Sequence, residues 1–157
     1  MVRYANHDIV FREFPDEVAL AINLSGCPNA CPGCHSAYLQ TAAGDELTSA
    51  RLDALLDGLD GLITCVGFMG GDADPSGVRS LAVHVRRRWP KLRTGWYSGR
   101  DVVPAEMFDG VFDYVKLGPY VAALGPLDRP TTNQRFYRVG RDGQVADETA
   151  RFWPHSQ

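Results

Sequence analysis

Short apolar segments alternate with amphipathic ones along the chain, as in a sheet whose strands are joined by helices. Segments 18–24 and 62–68 are nearly continuous runs of apolar residues, as expected of strands buried on both faces. Segments 9–14, 93–97 and 112–117 are also rich in β-branched and aromatic residues, so the pattern predicts three further strands.

Two longer segments carry apolar residues at helical spacing. Thr48 is a candidate N-cap, and the leucines at 52, 55, 56 and 59 that follow it fall on one helix face. A second helix is predicted over 76–89, because Pro75 precedes its apolar stripe and Pro90 ends it. A short helix is predicted over 104–108.

These elements predict an α/β fold. The recurring order of strand, loop, helix and strand implies a parallel sheet with right-handed crossovers. The loops at Cys27, Gly70, Ser98 and Gly118 would meet at one edge of that sheet, where open α/β sheets bind their ligands. A closed eightfold barrel needs about 250 residues. We therefore expect one domain over 1–157, forming an incomplete, open α/β barrel of parallel strands.

The C-terminal part of the chain predicts a β-hairpin. Segments 134–139 and 144–146 are strand-like, and Arg141-Asp142-Gly143 between them contains the glycine that tight turns favour. We expect this hairpin-like tail to follow the last parallel strand.

Charge and composition narrow the possible functions. A net charge of -3 gives no general attraction to nucleic acid or to an anionic membrane. The N-terminus is polar, unlike a signal peptide, and no apolar stretch approaches the roughly 20 residues that span a bilayer. We therefore expect a cytoplasmic protein with reduced thiols. There, clustered cysteines more often bind metal or carry out redox chemistry than form disulfides.

Three cysteines, Cys27, Cys31 and Cys34, lie close together just after the strand predicted at 18–24. Thiolates are the usual ligands of iron–sulfur clusters, and a cubane cluster takes four of them. His35 is a poor fourth ligand, because adjacent side chains seldom point at one metal. The spacing therefore indicates a [4Fe–4S] cluster with one iron open to an exogenous ligand.

A structural zinc site is the main alternative from the cysteines alone. It would add Cys65 to the three clustered cysteines, since structural zinc favours four protein ligands. Zinc knuckles usually consist of paired cysteine motifs, whereas Cys65 stands alone in an apolar segment. Cys65 is more simply explained as a buried core thiol. A disulfide is the least favoured interpretation in a reducing compartment.

The cysteine loop and several later segments resemble the radical S-adenosylmethionine superfamily. Cys27, Cys31 and Cys34 match its C-x₃-C-x₂-C signature. The C-P-G-C sequence at 31–34 resembles one subgroup, the activating proteins of anaerobic (class III) ribonucleoside-triphosphate reductase. The other matching segments are Met69-Gly70-Gly71-Asp72, Trp96-Tyr97-Ser98-Gly99, Leu117-Gly118-Pro119-Tyr120 and Thr132-Asn133-Gln134-Arg135.

The resemblance implies a radical-SAM-type α/β barrel that holds a [4Fe–4S] cluster at its top. By resemblance, Cys27, Cys31 and Cys34 ligate the cluster. Gly33, Cys34 and His35 would lie along the adenine of S-adenosylmethionine through backbone contacts.

The resemblance also implies which residues bind the rest of S-adenosylmethionine. The Gly70-Gly71-Asp72 loop would receive the methionine amino group, since glycines let backbone carbonyls approach closely. Ser98 would either hydrogen-bond the methionine carboxylate or a ribose hydroxyl, or only shape the turn. Lys116 would pair with the methionine carboxylate.

The function implied by the resemblance is that of a glycyl-radical activating enzyme. Such an enzyme cleaves S-adenosylmethionine reductively and abstracts a glycine Cα hydrogen, here from anaerobic ribonucleoside-triphosphate reductase. Its other partner would be a low-potential electron donor such as flavodoxin or ferredoxin. The alternatives are an activase of formate acetyltransferase type, a radical enzyme with a small-molecule substrate, and a non-enzymatic iron–sulfur or zinc-binding module.

Overall fold

The structure, a computed structural model, describes residues 1–26 and 44–154. The predicted cluster ligands Cys27, Cys31 and Cys34, and the predicted adenine contacts Gly33 and His35, lie outside these residues. The described chain forms eight strands, which are β1 (Arg3–Val10), β2 (Ala19–Leu24), β3 (Asp45–Glu46), β4 (Cys65–Met69), β5 (Arg93–Tyr97), β6 (Tyr114–Leu117), β7 (Arg135–Val139) and β8 (Val145–Asp147).

All eight strands belong to one sheet in the order β3-β1-β2-β4-β5-β6-β7-β8. The four central strands, β2, β4, β5 and β6, are parallel neighbours. The outer strands on both sides pair antiparallel, and the described strands do not close into a barrel. A mixed α/β fold with an open, partly parallel sheet is therefore confirmed, and so is the C-terminal hairpin of β7 and β8.

Two α-helices in the described chain connect the parallel strands. The first, α1 (Ser49–Asp57), begins as predicted at Thr48, whose side chain accepts a hydrogen bond from the Arg51 amide at 3.1 Å. The second, α2 (Pro75–Arg88), begins at Asp74, which accepts from the Gly77 amide at 3.1 Å. Neither helix is long and apolar enough to cross a membrane.

The two helices cover one face of the sheet. Its strands contribute large apolar side chains that pack against the helices, including Leu20, Ile22, Val66, Phe68 and Trp96. A short 3-10 helix (Ala105–Phe108), predicted over 104–108, adds Met107 to this core. The other face carries no α-helix within the described residues.

Phe14 fills the helix-free face of the sheet. It is fully buried and packs with Ala19, Cys65, Tyr114 and Phe136. The segment before β2 therefore turns inward over the sheet. This corrects the strand predicted at 9–14, because β1 ends at Val10 and the chain bends through the next residues to deliver Phe14 to this core.

Candidate functional site

The predicted loops after the parallel strands lie side by side at the carboxyl edge of the sheet. Gly70, Ser98 and Gly118 follow the neighbouring strands β4, β5 and β6. Backbone hydrogen bonds join the loops, from the Gly70 amide to Tyr97 O and from the Ser98 amide to Lys116 O, both at 2.8 Å. The structure thus confirms that these three loops share an edge.

The cysteine segment is attached to the same edge. Strand β2 is the parallel neighbour of β4, and it ends at Leu24. The described chain stops two residues later at Gly26, and Cys27 follows. The point of attachment therefore agrees with the predicted position of the cysteines after the first core strand.

The two glycines after β4 have geometric reasons to be glycine. Gly70 and Gly71 have φ angles of 107° and 86°, a region that side chains rarely tolerate. A Cβ on Gly71 would also lie 2.5 Å from Val78 Cγ2 and 2.8 Å from Leu24 Cδ1. The Gly70 carbonyl accepts from the Trp96 indole at 2.7 Å. Since a carbonyl oxygen has two lone pairs, this bond leaves capacity for a second donor.

Asp72 connects the loop after β4 to the loop after β5. Its side chain is buried, and Ser98 Oγ donates to Asp72 Oδ1 at 2.5 Å. The Gly99 amide donates to the other carboxylate oxygen at 2.9 Å. Ser98 Oγ in turn accepts from the Arg100 amide at 3.1 Å. Two residues that the sequence predicts for the site are thus in direct contact.

Lys116 adds a buried positive charge to this edge. It is 8% exposed, and its ammonium donates to the carbonyls of Ser98 at 3.2 Å and Gly118 at 2.9 Å. The ammonium also lies 5.6 Å from the centre of the Tyr97 ring. A charged amine in the interior needs polar partners, and these carbonyls supply part of them.

Four side chains lie in register on the helix-free face, in the row nearest this edge. Asn23 pairs with Met69, Met69 with Tyr97, and Tyr97 with Lys116, one from each parallel strand. Because alternate residues of a strand point to the same face, Phe14 lies on the same side of the sheet, below this row. Among the described residues, this row therefore lies between the carboxyl edge and the core around Phe14.

The C-terminal motif secures the loop after β6. Asn133 Nδ2 donates to Pro119 O at 3.1 Å, and Gln134 Nε2 to Gly118 O at 3.4 Å. Arg135 forms an ion pair with Asp147 in the hairpin. Asn133 Oδ1 is buried without a hydrogen-bond partner among the described residues. This segment therefore links the hairpin to the loop that also contacts Lys116.

Cys65 lies away from the carboxyl edge. It is the first residue of β4, pairs with Ala19, and is fully buried in the core around Phe14. Burial raises the pKa of its thiol well above the ordinary value. The prediction of a core thiol is confirmed. Cys65 lies about 13 Å along β4 from Met69, at the end opposite the point where the cysteine segment is attached.

A polar network at the amino edge of the sheet was not predicted. Glu17 is buried and accepts from Thr64 Oγ1 at 2.7 Å, Arg93 Nη1 at 2.9 Å and the Tyr114 hydroxyl at 2.6 Å. Burial, and then the bond to Glu17, raise the pKa of the Tyr114 hydroxyl. Because both oxygens of its carboxylate accept hydrogen bonds, we interpret Glu17 as an anchor for the segment that carries Phe14. Local sequence patterns could not predict this network, because Glu17 and Arg93 are far apart along the chain.

Comparison with protein-family models, with curated proteins and with solved structures finds no significant match. Within residues 1–26 and 44–154, no three His, Cys, Asp or Glu side chains are placed to hold a metal ion. The described edge presents backbone carbonyls, two of which accept from the Lys116 ammonium. The predicted iron ligands all belong to the segment attached at Gly26.

Proposed function

We propose that this chain is a glycyl-radical activating enzyme of the radical S-adenosylmethionine type. In this proposal Cys27, Cys31 and Cys34 hold a [4Fe–4S] cluster, and the loops after β4, β5 and β6 bind S-adenosylmethionine. The observation that carries the proposal is the meeting of Gly70-Gly71-Asp72, Ser98 and Lys116 at the edge to which the cysteine segment is attached.

The residues present fit the proposed cofactors. Three thiolates are the ligand type that iron–sulfur clusters take, and they leave one iron for an exogenous group. The carbonyls of Gly70 and Gly71 can accept from a methionine ammonium, since each has one lone pair beyond its described bond. Lys116 brings a positive charge for the methionine carboxylate. The chain thus offers hydrogen-bond acceptors for the methionine ammonium of S-adenosylmethionine and a cation for its carboxylate.

When bound, the cluster and S-adenosylmethionine supply one-electron cleavage of a carbon–sulfur bond and the removal of a hydrogen atom from the substrate. The protein's part is to bind, orient and exclude water. Phe14 and the aromatic residues around it seal the sheet face below the row of Lys116 and Tyr97. In this proposal the substrate, a glycine-containing loop of a partner protein, reaches the site at the carboxyl edge.

The proposed substrate is a glycine Cα of anaerobic ribonucleoside-triphosphate reductase, with flavodoxin or ferredoxin as the electron donor. This choice is supported by the resemblance of the segment 132–135, whose Asn133 and Gln134 hold the loop after β6.

The test is to reconstitute the chain with iron and sulfide without oxygen, reduce it, and record EPR spectra with and without S-adenosylmethionine. We expect a cubane spectrum that changes when the ligand is added, and release of 5′-deoxyadenosine. Mixing with the reductase should then give a glycyl-radical doublet. A spectrum that does not respond and no deoxyadenosine would refute the enzymatic proposal. Deoxyadenosine without the doublet would refute only the choice of partner.

A further inference from the structure

We infer that Asp72 is a positioning residue: it holds Ser98, and through Ser98 the Lys116 ammonium, in place for the carboxylate of S-adenosylmethionine. The inference rests on the proposed function, and it assigns to Asp72 a role other than contact with the methionine amino group. It follows from the direction of the hydrogen bonds at the carboxyl edge.

Both oxygens of the Asp72 carboxylate face the loop after β5. One accepts the Ser98 hydroxyl proton at 2.5 Å and the other accepts the Gly99 amide at 2.9 Å. The side chain is only 2% exposed. A buried carboxylate requires such bonds, and bonds to a charged acceptor are stronger than neutral ones. Asp72 therefore fixes the loop after β5 firmly against the loop after β4.

Ser98 has no second proton to offer a ligand. A serine hydroxyl donates one hydrogen, and this one goes to Asp72. A carboxylate can only accept, so the methionine carboxylate cannot bond to Ser98 while the Asp72 bond persists. Ser98 Oγ also accepts from the Arg100 amide, and the residue is 1% exposed. These contacts favour the structural interpretation of Ser98 over direct ligand contact.

The backbone of Ser98 carries the effect of Asp72 to Lys116. Its carbonyl accepts from the Lys116 ammonium at 3.2 Å, and its amide donates to the Lys116 carbonyl at 2.8 Å. Asp72, Ser98 and Lys116 thus form a continuous chain of hydrogen bonds across β4, β5 and β6. A change at Asp72 should therefore alter the position of the charge without removing it.

The test combines ligand affinity with amide exchange. The dissociation constant of S-adenosylmethionine is measured on the reconstituted chain for Asp72→Asn, Ser98→Ala and the double variant. We expect each single change to weaken binding roughly tenfold. The double variant should bind no more weakly than the weaker single variant, because both changes break one chain of bonds. Ser98→Thr, which keeps the hydroxyl, should bind like the wild type.

Amide exchange supplies the readout that does not depend on the cofactors. In the chain without cluster, the Gly99 amide should exchange faster in Asp72→Asn than in the wild type, because it loses an ionised acceptor. Asp101→Asn is the matched control, since this exposed acid lies in the same loop. It should change neither exchange nor affinity.

The outcomes separate the inference from the proposed function. A wild-type chain that binds no S-adenosylmethionine refutes both. If the wild type binds and the effects of the two single changes multiply, Asp72 acts on the ligand independently of Ser98 and the inference is wrong. Faster exchange with unchanged affinity also overturns it, because the bonds would then be structural only.

Discussion

The ring of Phe14 occupies the space that a side chain at Gly95 would need. An ideal Cβ on Gly95 would lie 2.1 Å from Phe14 Cε1, and one on its register partner Gly67 would lie 2.3 Å from Phe14 Cε2. The neighbouring strands β4 and β5 thus both carry glycine where the aromatic ring lies against the sheet. The ring therefore packs directly against the backbone of the sheet, below the candidate site.

We therefore predict that Gly95→Ala destabilises the fold, although alanine is normally the better strand residue. The ring cannot easily move aside, because it packs against Tyr97 at a centroid distance of 5.2 Å and against Tyr114 at 5.8 Å. Overpacking of this kind costs about 1–3 kcal/mol of unfolding free energy. Urea denaturation measures the loss.

Gly58→Ala is the matched control, since a Cβ there meets no atom within 4 Å and its φ is -73°. We expect it to leave stability unchanged or to raise it slightly. The cost of Gly95→Ala should also shrink in a Phe14→Leu background, which gives the new methyl group room. An equal cost in both backgrounds would contradict the steric explanation.

The second prediction concerns the reactivity of Cys65. Burial raises the pKa of its thiol, so the thiolate that reacts with alkylating agents is scarce in the folded chain. We expect the peptide that contains Cys65 to stay unmodified by iodoacetamide at pH 8 until denaturant unfolds the protein. Mass spectrometry of the digested chain measures this. Rapid modification in native buffer would show that the core around Phe14 opens readily.

The third prediction is a pH dependence at the start of α2. The Met1 ammonium, and then the Gly77 amide, lower the pKa of Asp74. A lowered pKa means that the native state favours the charged form. Its contribution to stability is therefore present above the unfolded value of about 4 and is lost as the pH falls through the lower native value.

Asp74→Ala should accordingly cost about 1 kcal/mol at pH 7, the usual effect of removing an N-cap. The difference from the wild type should shrink as the pH is lowered below 4. Urea denaturation at several pH values measures it, with the exposed Asp101→Ala as control. A difference that does not change with pH would mean that the charge of Asp74 contributes nothing.

The sequence predicted the central strands and helices because their patterns are local. Thr48 caps α1 as expected, and segment 93–97 matches β5 residue for residue. The register of the sheet could not be predicted in this way, because it depends on which strands meet. The bond between Asp72 and Ser98 is a consequence of that register, since it joins the ends of β4 and β5.

The N-terminal strand was misplaced for a physical reason. Most of β1 is exposed and polar, so Arg3–Val10 has no apolar alternation to reveal a strand. The apolar residues of segment 9–14 include Phe14, which lies beyond the end of β1 and packs on the face of the sheet. The glycines inside two strands, Gly67 and Gly95, could have indicated that another group packs closely against the sheet there.

The fourth prediction tests the cluster ligands proposed in the segment after β2. Cys27→Ala, Cys31→Ala and Cys34→Ala should each abolish cluster assembly, because three thiolates leave none to spare. Cys65→Ala should retain full iron and sulfide content, since Cys65 is buried at the other end of β4. Iron analysis and EPR of folded, reconstituted chains measure this. Loss of iron in Cys65→Ala would instead support a site with four cysteine ligands.

The fifth prediction concerns the charge of Lys116. The chain has two lysines, and the other is Lys91. Lys116→Met keeps much of the apolar stem but removes the ammonium that lies between the Ser98 and Gly118 carbonyls. If that ammonium pairs with the methionine carboxylate, the affinity for S-adenosylmethionine should fall by about tenfold or more, because a charge-assisted contact is lost. Isothermal titration of the reconstituted chain measures it.

Lys91→Met is the control, because Lys91 is exposed and follows α2 at the other end of β5. It removes the same charge from the chain and should leave the affinity unchanged. The loss in Lys116→Met should also be smaller when the ligand is S-adenosylmethionine methyl ester, which lacks the carboxylate charge. Equal losses for the acid and the ester would mean that Lys116 only braces the loops after β5 and β6, and that another group binds the methionine carboxylate.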